Sequence, residues 1–167
     1  LAVANSLAAV KAGADIVECT VNGIGERAGN ASLEEAVMNI ITRKDLFDGR
    51  TVSLDTKKFG QLSRLVSDVY GMAVQQNKAI VGANAFRHRS GIHQDGMLLR
   101  GGLYEIMQPE QVGWIGEGIE LNANSGWAGV SYRIQRLRYT IKDEDRASVM
   151  SAFKASADER PTIEDTD

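Results

Sequence analysis

The sequence predicts an α/β fold in which a short parallel-sheet unit is followed by a mostly helical extension. In the first 50 residues, patterns of a helix, a strand, a loop and a second helix follow one another, which is typical of proteins with a parallel sheet. Beyond residue 50, helical periodicity and loop-rich segments replace the strand pattern. We therefore expect an α/β portion over residues 1–50, a helical and linker portion over 51–158, and a polar tail over 159–167.

The first two elements are a helix and a strand. Apolar residues recur at helical spacing from Leu1 onward, which predicts a helix over residues 1–12 that ends at Gly13. ADIVECTV, residues 14–21, is a compact apolar run with β-branched residues and predicts a short buried strand. Because the helical pattern is already present at Leu1, without a start methionine or signal peptide, we expect the chain to be part of a longer protein.

A loop and a second helix complete the α/β portion. The loop is glycine-rich and reads NGIGERAGN over residues 22–30. Ser32 and Glu35 have the spacing of a capping box, and apolar residues recur at helical intervals after them. This pattern predicts a helix over residues 32–44.

The extension contains three predicted helices and a long connection. Amphipathic patterns predict helices over residues 62–74, 127–139 and 143–158. The connection over residues 87–113 is rich in glycine and polar residues and is predicted to be mainly loop. The tail over residues 159–167 is polar and acidic, as linkers are.

Composition excludes several classes of function. The net charge of −3 gives no basic surface for nucleic acid, and no apolar run approaches the roughly 18 residues of a membrane-spanning helix. The single cysteine, Cys19, lies in an apolar run and is interpreted as a buried, inert thiol. We therefore expect a cytoplasmic protein with no nucleic-acid or membrane partner.

Two segments could carry chemistry, and each has a simpler interpretation. The loop over residues 22–30 follows a predicted strand, where α/β barrels hold their sites, but Glu26 and Arg27 could equally form a surface ion pair. RHRSGIHQDG, residues 87–96, holds both histidines of the chain. From composition alone, this segment is a surface turn.

Four sequence blocks taken together resemble the 2-isopropylmalate synthases. The blocks are ECTVNGIGERAGNASLEEAVM, NKAIVGANAF, SGIHQDG and LYEIMQPEQVG, in that order. The resemblance is strong over residues 1–115 and weaker over the segment FKASADERPTIEDTD. It implies the final segment of a TIM (β/α)8 barrel, followed by a mostly helical subdomain that covers the active site of a partner subunit. Homocitrate and citramalate synthases share this architecture, so the acceptor acid stays open.

The resemblance also implies a reaction and a metal. The family joins the methyl carbon of acetyl-CoA to the keto carbon of 2-oxoisovalerate, giving 2-isopropylmalate for leucine biosynthesis. A divalent ion, Mn, Mg or Zn, holds the 2-oxo acid. By resemblance Asn30 is a metal ligand through its amide oxygen. Gly25, Glu26 and Arg27 then support the loop or the substrate around it.

Three residues of the second segment are implied to act in catalysis. His93 matches a histidine that enters the neighbouring subunit's active site as the base or as part of a proton relay. Tyr104 matches a tyrosine that reaches the same site, and Asp95 is interpreted as orienting His93. His88 is interpreted as structural, because Arg89 replaces the acidic residue usual after it.

A departure from the family pattern lies in ELNANSGWAG, where many members have Lys-His-Ser-Gly-Arg. Asn124 and Trp127 flank Ser125 and Gly126 here, so the usual role of that segment is in doubt.

Two hypotheses follow for the chain as a whole. In the first, it is the C-terminal catalytic portion of a metal-dependent acyltransferase and is inactive as an isolated fragment. In the second, it is a dimerisation or cover module that catalyses nothing by itself. Either way, we expect a homodimer with exchanged subdomains and no leucine-sensing domain.

Overall fold

The computed structural model describes residues 1–100, 104–116, 118–160, 163 and 165, and these form two compact units. Unit 1 comprises Leu1–Ala85 and Ile106–Gly116, and unit 2 comprises the described residues of Phe86–Glu105 and Glu117–Asp167. The helices are α1 (Ala2–Lys11), α2 (Leu33–Thr42), α3 (Phe59–Tyr70), α4 (Gly91–Leu99), α5 (Trp127–Arg136) and α6 (Arg146–Glu159). The predicted domain boundaries at residues 50 and 158 stay predictions.

The predicted strand over residues 14–21 is wrong for the described chain. Residues 14–21 take part in one parallel bridge, in which the Thr20 N–H donates to the Ala31 oxygen at 3.0 Å and the Leu33 N–H donates to the Thr20 oxygen at 2.9 Å. The segment is not buried either, since Ile16 is 84% exposed. A parallel strand needs neighbouring strands for its ladder, and the described residues provide none. The barrel therefore stays a prediction, whereas the mostly helical character is confirmed.

The first two helices of unit 1 form where the sequence predicts them. α1 ends at Lys11, and Gly13 takes a φ of 109° after it. α2 begins at Leu33 and buries Ala36, Val37 and Met38 on one face. The helical spacing of the apolar residues accounts for this buried face.

The third helix ends earlier than the pattern predicts. α3 stops at Tyr70, and Gly71 follows in the left-handed conformation with a φ of 67°. This is the usual glycine cap of a helix C-terminus, and it ends the element although the apolar pattern continues to Val74. The start of α3 packs closely on Gly113, where a Cβ at Gly60 would collide with the Gly113 carbonyl oxygen.

Unit 2 contains α4, α5 and α6. The prediction of a loop over residues 87–113 is wrong in its first part, because Gly91–Leu99 is helical and begins after Ser90 in an extended conformation. Ile119, Leu121 and Val130 form a small buried cluster, against which partly buried apolar residues of α5 and α6 pack. Predicted tail residues 161, 162, 164, 166 and 167 lie outside the described residues.

Across the part of the chain that the structure describes, each helix is too short or too polar to cross a bilayer.

Candidate functional site

The loop of unit 1 begins at Asn22, which a buried carboxylate holds in place. The Asn22 N–H donates to both oxygens of Glu34, at 3.0 and 3.2 Å, and Glu34 has no exposed surface. The Ser32 hydroxyl donates to Glu34 Oε2 at 2.7 Å. Asn22 has a φ of 60°, a left-handed conformation that asparagine tolerates better than most residues. Glu34 thus fixes the turn that leads into the glycine-rich loop.

The capping box predicted for α2 does not form. The Ser32 side chain makes no cap hydrogen bond because its hydroxyl bonds Glu34 instead. The Glu35 carboxylate lies 2.8 Å from Lys78 Nζ, in a half-buried ion pair. The sequence analysis gave Glu34 no role, and its place four residues after the glycine-rich loop was the available signal.

Asn22 also ties the loop to α3. Its Nδ2 donates to the Ser63 carbonyl oxygen at 2.9 Å, and the Ser63 hydroxyl donates back to Asn22 Oδ1 at 2.5 Å. Ser63 is buried, so these two hydrogen bonds are largely shielded from water. Together with Glu34, they fix the start of the loop on two sides.

The side chain of Asn30, the predicted metal ligand, has a defined orientation. Its Nδ2 donates to the Ile24 carbonyl oxygen at 3.1 Å, so the amide nitrogen faces the loop and Oδ1 is directed away from that bond. Oδ1 accepts no hydrogen bond within the described residues. A Cβ at Gly25 would lie 2.8 Å from Asn30 Cγ, so a larger residue at position 25 would displace the Asn30 side chain. The Asn30 oxygen is therefore available to a ligand.

Glu26 and Arg27 are both exposed, and no ion pair joins them. The alternative of a local surface ion pair is thus not seen. Arg27 adopts a φ of 58° and lines a cleft of about 310 Å³ together with Gly25 and the segment around Met72. Gly25 and Arg27 belong to this cleft, and Glu26 does not line it.

Cys19 precedes the bridge at Thr20 and is partly buried. Burial, and secondarily the charge of Glu34, raise the pKa of the Cys19 thiol. A raised pKa leaves less thiolate at neutral pH, which supports the interpretation of an inert thiol.

In unit 2, α4 carries the second candidate segment, and Gln94 anchors it. Gln94 is fully buried, and its Nε2 donates to the carbonyl oxygens of His88 at 3.0 Å and Glu120 at 2.9 Å. A Cβ at Gly91 would lie 2.8 Å from the Asn124 oxygen, so the first turn of α4 packs directly on the neighbouring loop. The helix is therefore fixed on its inner side.

On the outer side of α4, an imidazole of the helix lies next to a phenol that follows it in the chain. His93 is exposed, Tyr104 is 47% exposed, and their ring centroids are 4.6 Å apart. The structure thus brings together two of the three predicted catalytic residues. His88, which the sequence analysis interpreted as structural, lies beside both, with its ring centroid 6.3 Å from His93 and 6.2 Å from Tyr104.

The third predicted catalytic residue does not join this cluster. Asp95 is exposed, and neither a hydrogen bond nor an ion pair joins it to His93. Side chains two positions apart on a helix point to different faces, which explains their separation. The carboxylate beside the cluster is instead Glu105, whose Oε1 lies 3.6 Å from His88 Nε2. Its position directly after Tyr104 was the only signal in the sequence.

The segment that departs from the family pattern is internally bonded. The Asn124 N–H donates to Asn122 Oδ1 at 2.8 Å, and Lys154 Nζ donates to the carbonyl oxygens of Ala123 and Ser125. Trp127 packs under the Arg146 guanidinium, 5.0 Å from its ring centroid. The residues of this segment therefore contribute to the packing of unit 2.

No group of three His, Cys, Asp or Glu side chains in the described ranges could hold a metal ion. Asn30 lies in unit 1, and His93 with Tyr104 lies in unit 2.

Two family models match the chain. One, described as HMGL-like, covers residues 1–66, and the other, described as homocitrate synthase post-HMGL domain-like, covers residues 80–161. All 167 residues also align with 2-isopropylmalate synthases: 52% are identical in the protein of Rhodopirellula baltica, 51% in that of Ruminiclostridium cellulolyticum and 47% in that of Pasteurella multocida. The chain spans 32%, 33% and 32% of these relatives, respectively.

Proposed function

Because this chain is a homologue of the 2-isopropylmalate synthases over all of its 167 residues, we propose that it is part of an acyltransferase acting on acetyl-CoA and 2-oxoisovalerate. The chain spans about a third of the relatives, so the activity proposed is that of the whole protein. Its product would be 2-isopropylmalate, as in leucine biosynthesis.

The contact between His93 and Tyr104 is the observation that carries the proposal. Both rings are exposed and adjacent, with 4.6 Å between their centroids, although Tyr104 is eleven positions further along the chain. The exposed apolar side chains of Ile92 and Leu99 lie on the same helix as His93, at 77% and 79% exposure. These features fit an arm that inserts into the active site of a partner subunit in a homodimer.

In the proposed reaction His93 and Tyr104 handle a proton and a developing charge. A ring nitrogen of His93 takes a proton from the acetyl methyl group, and the Tyr104 hydroxyl donates a hydrogen bond to the thioester oxygen. The methyl carbon then bonds to the keto carbon of the 2-oxo acid, whose oxygen gains a proton. Water subsequently hydrolyses the thioester and releases the CoA thiol. Imidazole suits the first step because its pKa ordinarily lies near neutral pH.

The proposed metal fits the loop of unit 1 at one ligand position. The free Oδ1 of Asn30 is a hard oxygen donor of the kind that Mn, Mg and Zn accept. A divalent ion bound there would polarise the keto carbonyl of the acceptor. One neutral oxygen does not hold such an ion alone, so further ligands must come from the remainder of the protein.

A second candidate is a dimerisation or cover module without activity of its own. It is favoured by the lack of a three-ligand metal group in the described part of the chain. The acceptor acid is a separate question, since one matching family model is named for homocitrate synthase.

The release of CoA thiol from acetyl-CoA distinguishes these candidates. We would measure it with and without 2-oxoisovalerate and added manganese, on the 167-residue chain and on the whole protein that contains it. Acceptor-dependent release only by the whole protein would support the acyltransferase and an inactive fragment. Release with another 2-oxo acid would reassign the acceptor, and no release with any acid would favour the cover module.

Substitution of the two predicted groups separates their roles. His93→Ala in the whole protein should lower turnover by about 10²–10⁴-fold, the usual effect of losing a general base, and leave the metal content unchanged. Asn30→Ala should lower the metal affinity instead. Unaltered turnover of His93→Ala would refute a catalytic role for His93 and leave it as an exposed residue of α4.

A further inference from the structure

His88 is held rigidly by its backbone. Its N–H donates to the Gly118 oxygen at 2.7 Å, and its carbonyl oxygen accepts from the Glu120 N–H at 3.3 Å and from Gln94 Nε2 at 3.0 Å. This short parallel bridge and the buried Gln94 fix the point from which the imidazole projects. The ring therefore has little freedom except rotation about its own side-chain bonds.

The imidazole of His88 and the carboxylate of Glu105 are buried together. Their side chains are 12% and 9% exposed, and His88 Nε2 lies 3.6 Å from Glu105 Oε1. His88 Nε2 is buried and has no hydrogen-bond partner within the described residues. A buried ring nitrogen and a buried carboxylate are both costly when unpaired. The 3.6 Å between Nε2 and Oε1 is an ion-pair distance, longer than a hydrogen bond, and Oε1 is the acceptor toward which a proton on Nε2 would be directed. Arg136 and Tyr132 line the same cavity of about 190 Å³ as this pair.

We propose that His88, with a proton on Nε2, pairs with Glu105 and thereby positions Tyr104 against His93. Glu105 directly follows Tyr104, so anchoring its carboxylate on the rigid His88 fixes the backbone that carries the phenol. The proposal deepens and rests on the proposed acyltransferase function. His88 and Glu105 are positioning residues, since of these four side chains only His93 and Tyr104 are exposed.

The protonation state of His88 can be measured without any activity. The chain has two histidines, so ¹⁵N-labelled histidine gives two sets of ring signals, which His93→Gln assigns. Long-range ¹H–¹⁵N spectra of the 167-residue chain at neutral pH distinguish a protonated from an unprotonated ring nitrogen. We expect the signal of a protonated nitrogen at His88 Nε2, changed by Glu105→Gln and unchanged by Arg87→Ala. An unprotonated Nε2, or no response to Glu105→Gln, would overturn the proposal.

A second experiment tests positioning in the whole protein. His88→Phe keeps a ring but removes the donor, and we expect about a 10- to 100-fold lower kcat with little change in KM, the range typical of groups that orient active-site residues. His88→Gln retains an N–H donor and should recover most of the turnover. Arg87→Ala, which removes only an exposed ion pair to Glu120, is the matched control.

The two experiments separate the failure of this proposal from the failure of the proposed function. If His88→Phe and His88→Gln have equal turnover, or if neither differs from the control, the positioning role is refuted. If the whole protein shows no condensation while Nε2 is protonated and responds to Glu105→Gln, the pair stands and the proposed reaction fails.

Discussion

Replacing Glu34 should destabilise unit 1 more than replacing its neighbour Glu35. Glu34 accepts hydrogen bonds from two donors, the Asn22 N–H and the Ser32 hydroxyl, and is completely buried. Hydrogen bonds to a charged group contribute about 1.5–3 kcal/mol each, so the two total about 3–6 kcal/mol before other effects. Part of this loss is offset for two reasons. The buried carboxylate of the native protein has given up its hydration, a cost that the alanine variant does not bear, and water can hydrate the partly buried Asn22 N–H in the variant.

We therefore expect Glu34→Ala to lower the free energy of unfolding by about 2–3 kcal/mol, and Glu34→Gln, which keeps one acceptor oxygen, by about 1 kcal/mol. Glu35 lies one position along the same helical turn and pairs with Lys78. Because this pair is partly exposed, Glu35→Ala should cost about 1 kcal/mol or less. It is the matched control.

Each unit contains one of the two tryptophans, Trp114 in unit 1 and Trp127 in unit 2. In a Trp127→Phe background, urea unfolding followed by fluorescence reports unit 1 through Trp114. If Glu34→Ala is no more destabilising than Glu35→Ala, the reasoning that the buried carboxylate holds the loop is refuted.

Three further predictions concern the loop, the thiol and the assembly. Gly25→Ala should displace the Asn30 amide and lower the metal affinity of the whole protein by about 10- to 100-fold. Gly126→Ala, where an added Cβ meets open space, is the control. Equal metal affinities of these two variants would contradict the prediction. Cys19 should react slowly with iodoacetamide at neutral pH and faster as pH rises, because its raised pKa leaves little thiolate. Glu34→Gln should speed this reaction by removing a negative charge, and an unchanged rate would argue against that cause. Light scattering at micromolar concentration should give twice the 18.1 kDa mass of the chain, and a monomer would count against the dimer.

The sequence alone identified the helices whose boundaries depend on local chemistry. α1, α2 and the N-terminal limit of α5 follow from apolar periodicity, and Gly13 marks the end of the first helix. The sequence also selected His93 and Tyr104, because four blocks in a fixed order resemble one family although the two residues are distant in the chain. Such information lies in residue identity and spacing, which need no coordinates.

The tertiary structure alone decided which groups meet. It directed the Ser32 hydroxyl and the Asn22 N–H to Glu34, so the capping box predicted for α2 does not form, and it put His88 and Glu105, in place of Asp95, beside His93 and Tyr104. These outcomes depend on burial and on contacts between distant residues, which local patterns do not encode. The strand predicted over residues 14–21 shows the same limit: its composition favours a strand, but a parallel strand forms only where neighbouring strands supply its hydrogen bonds.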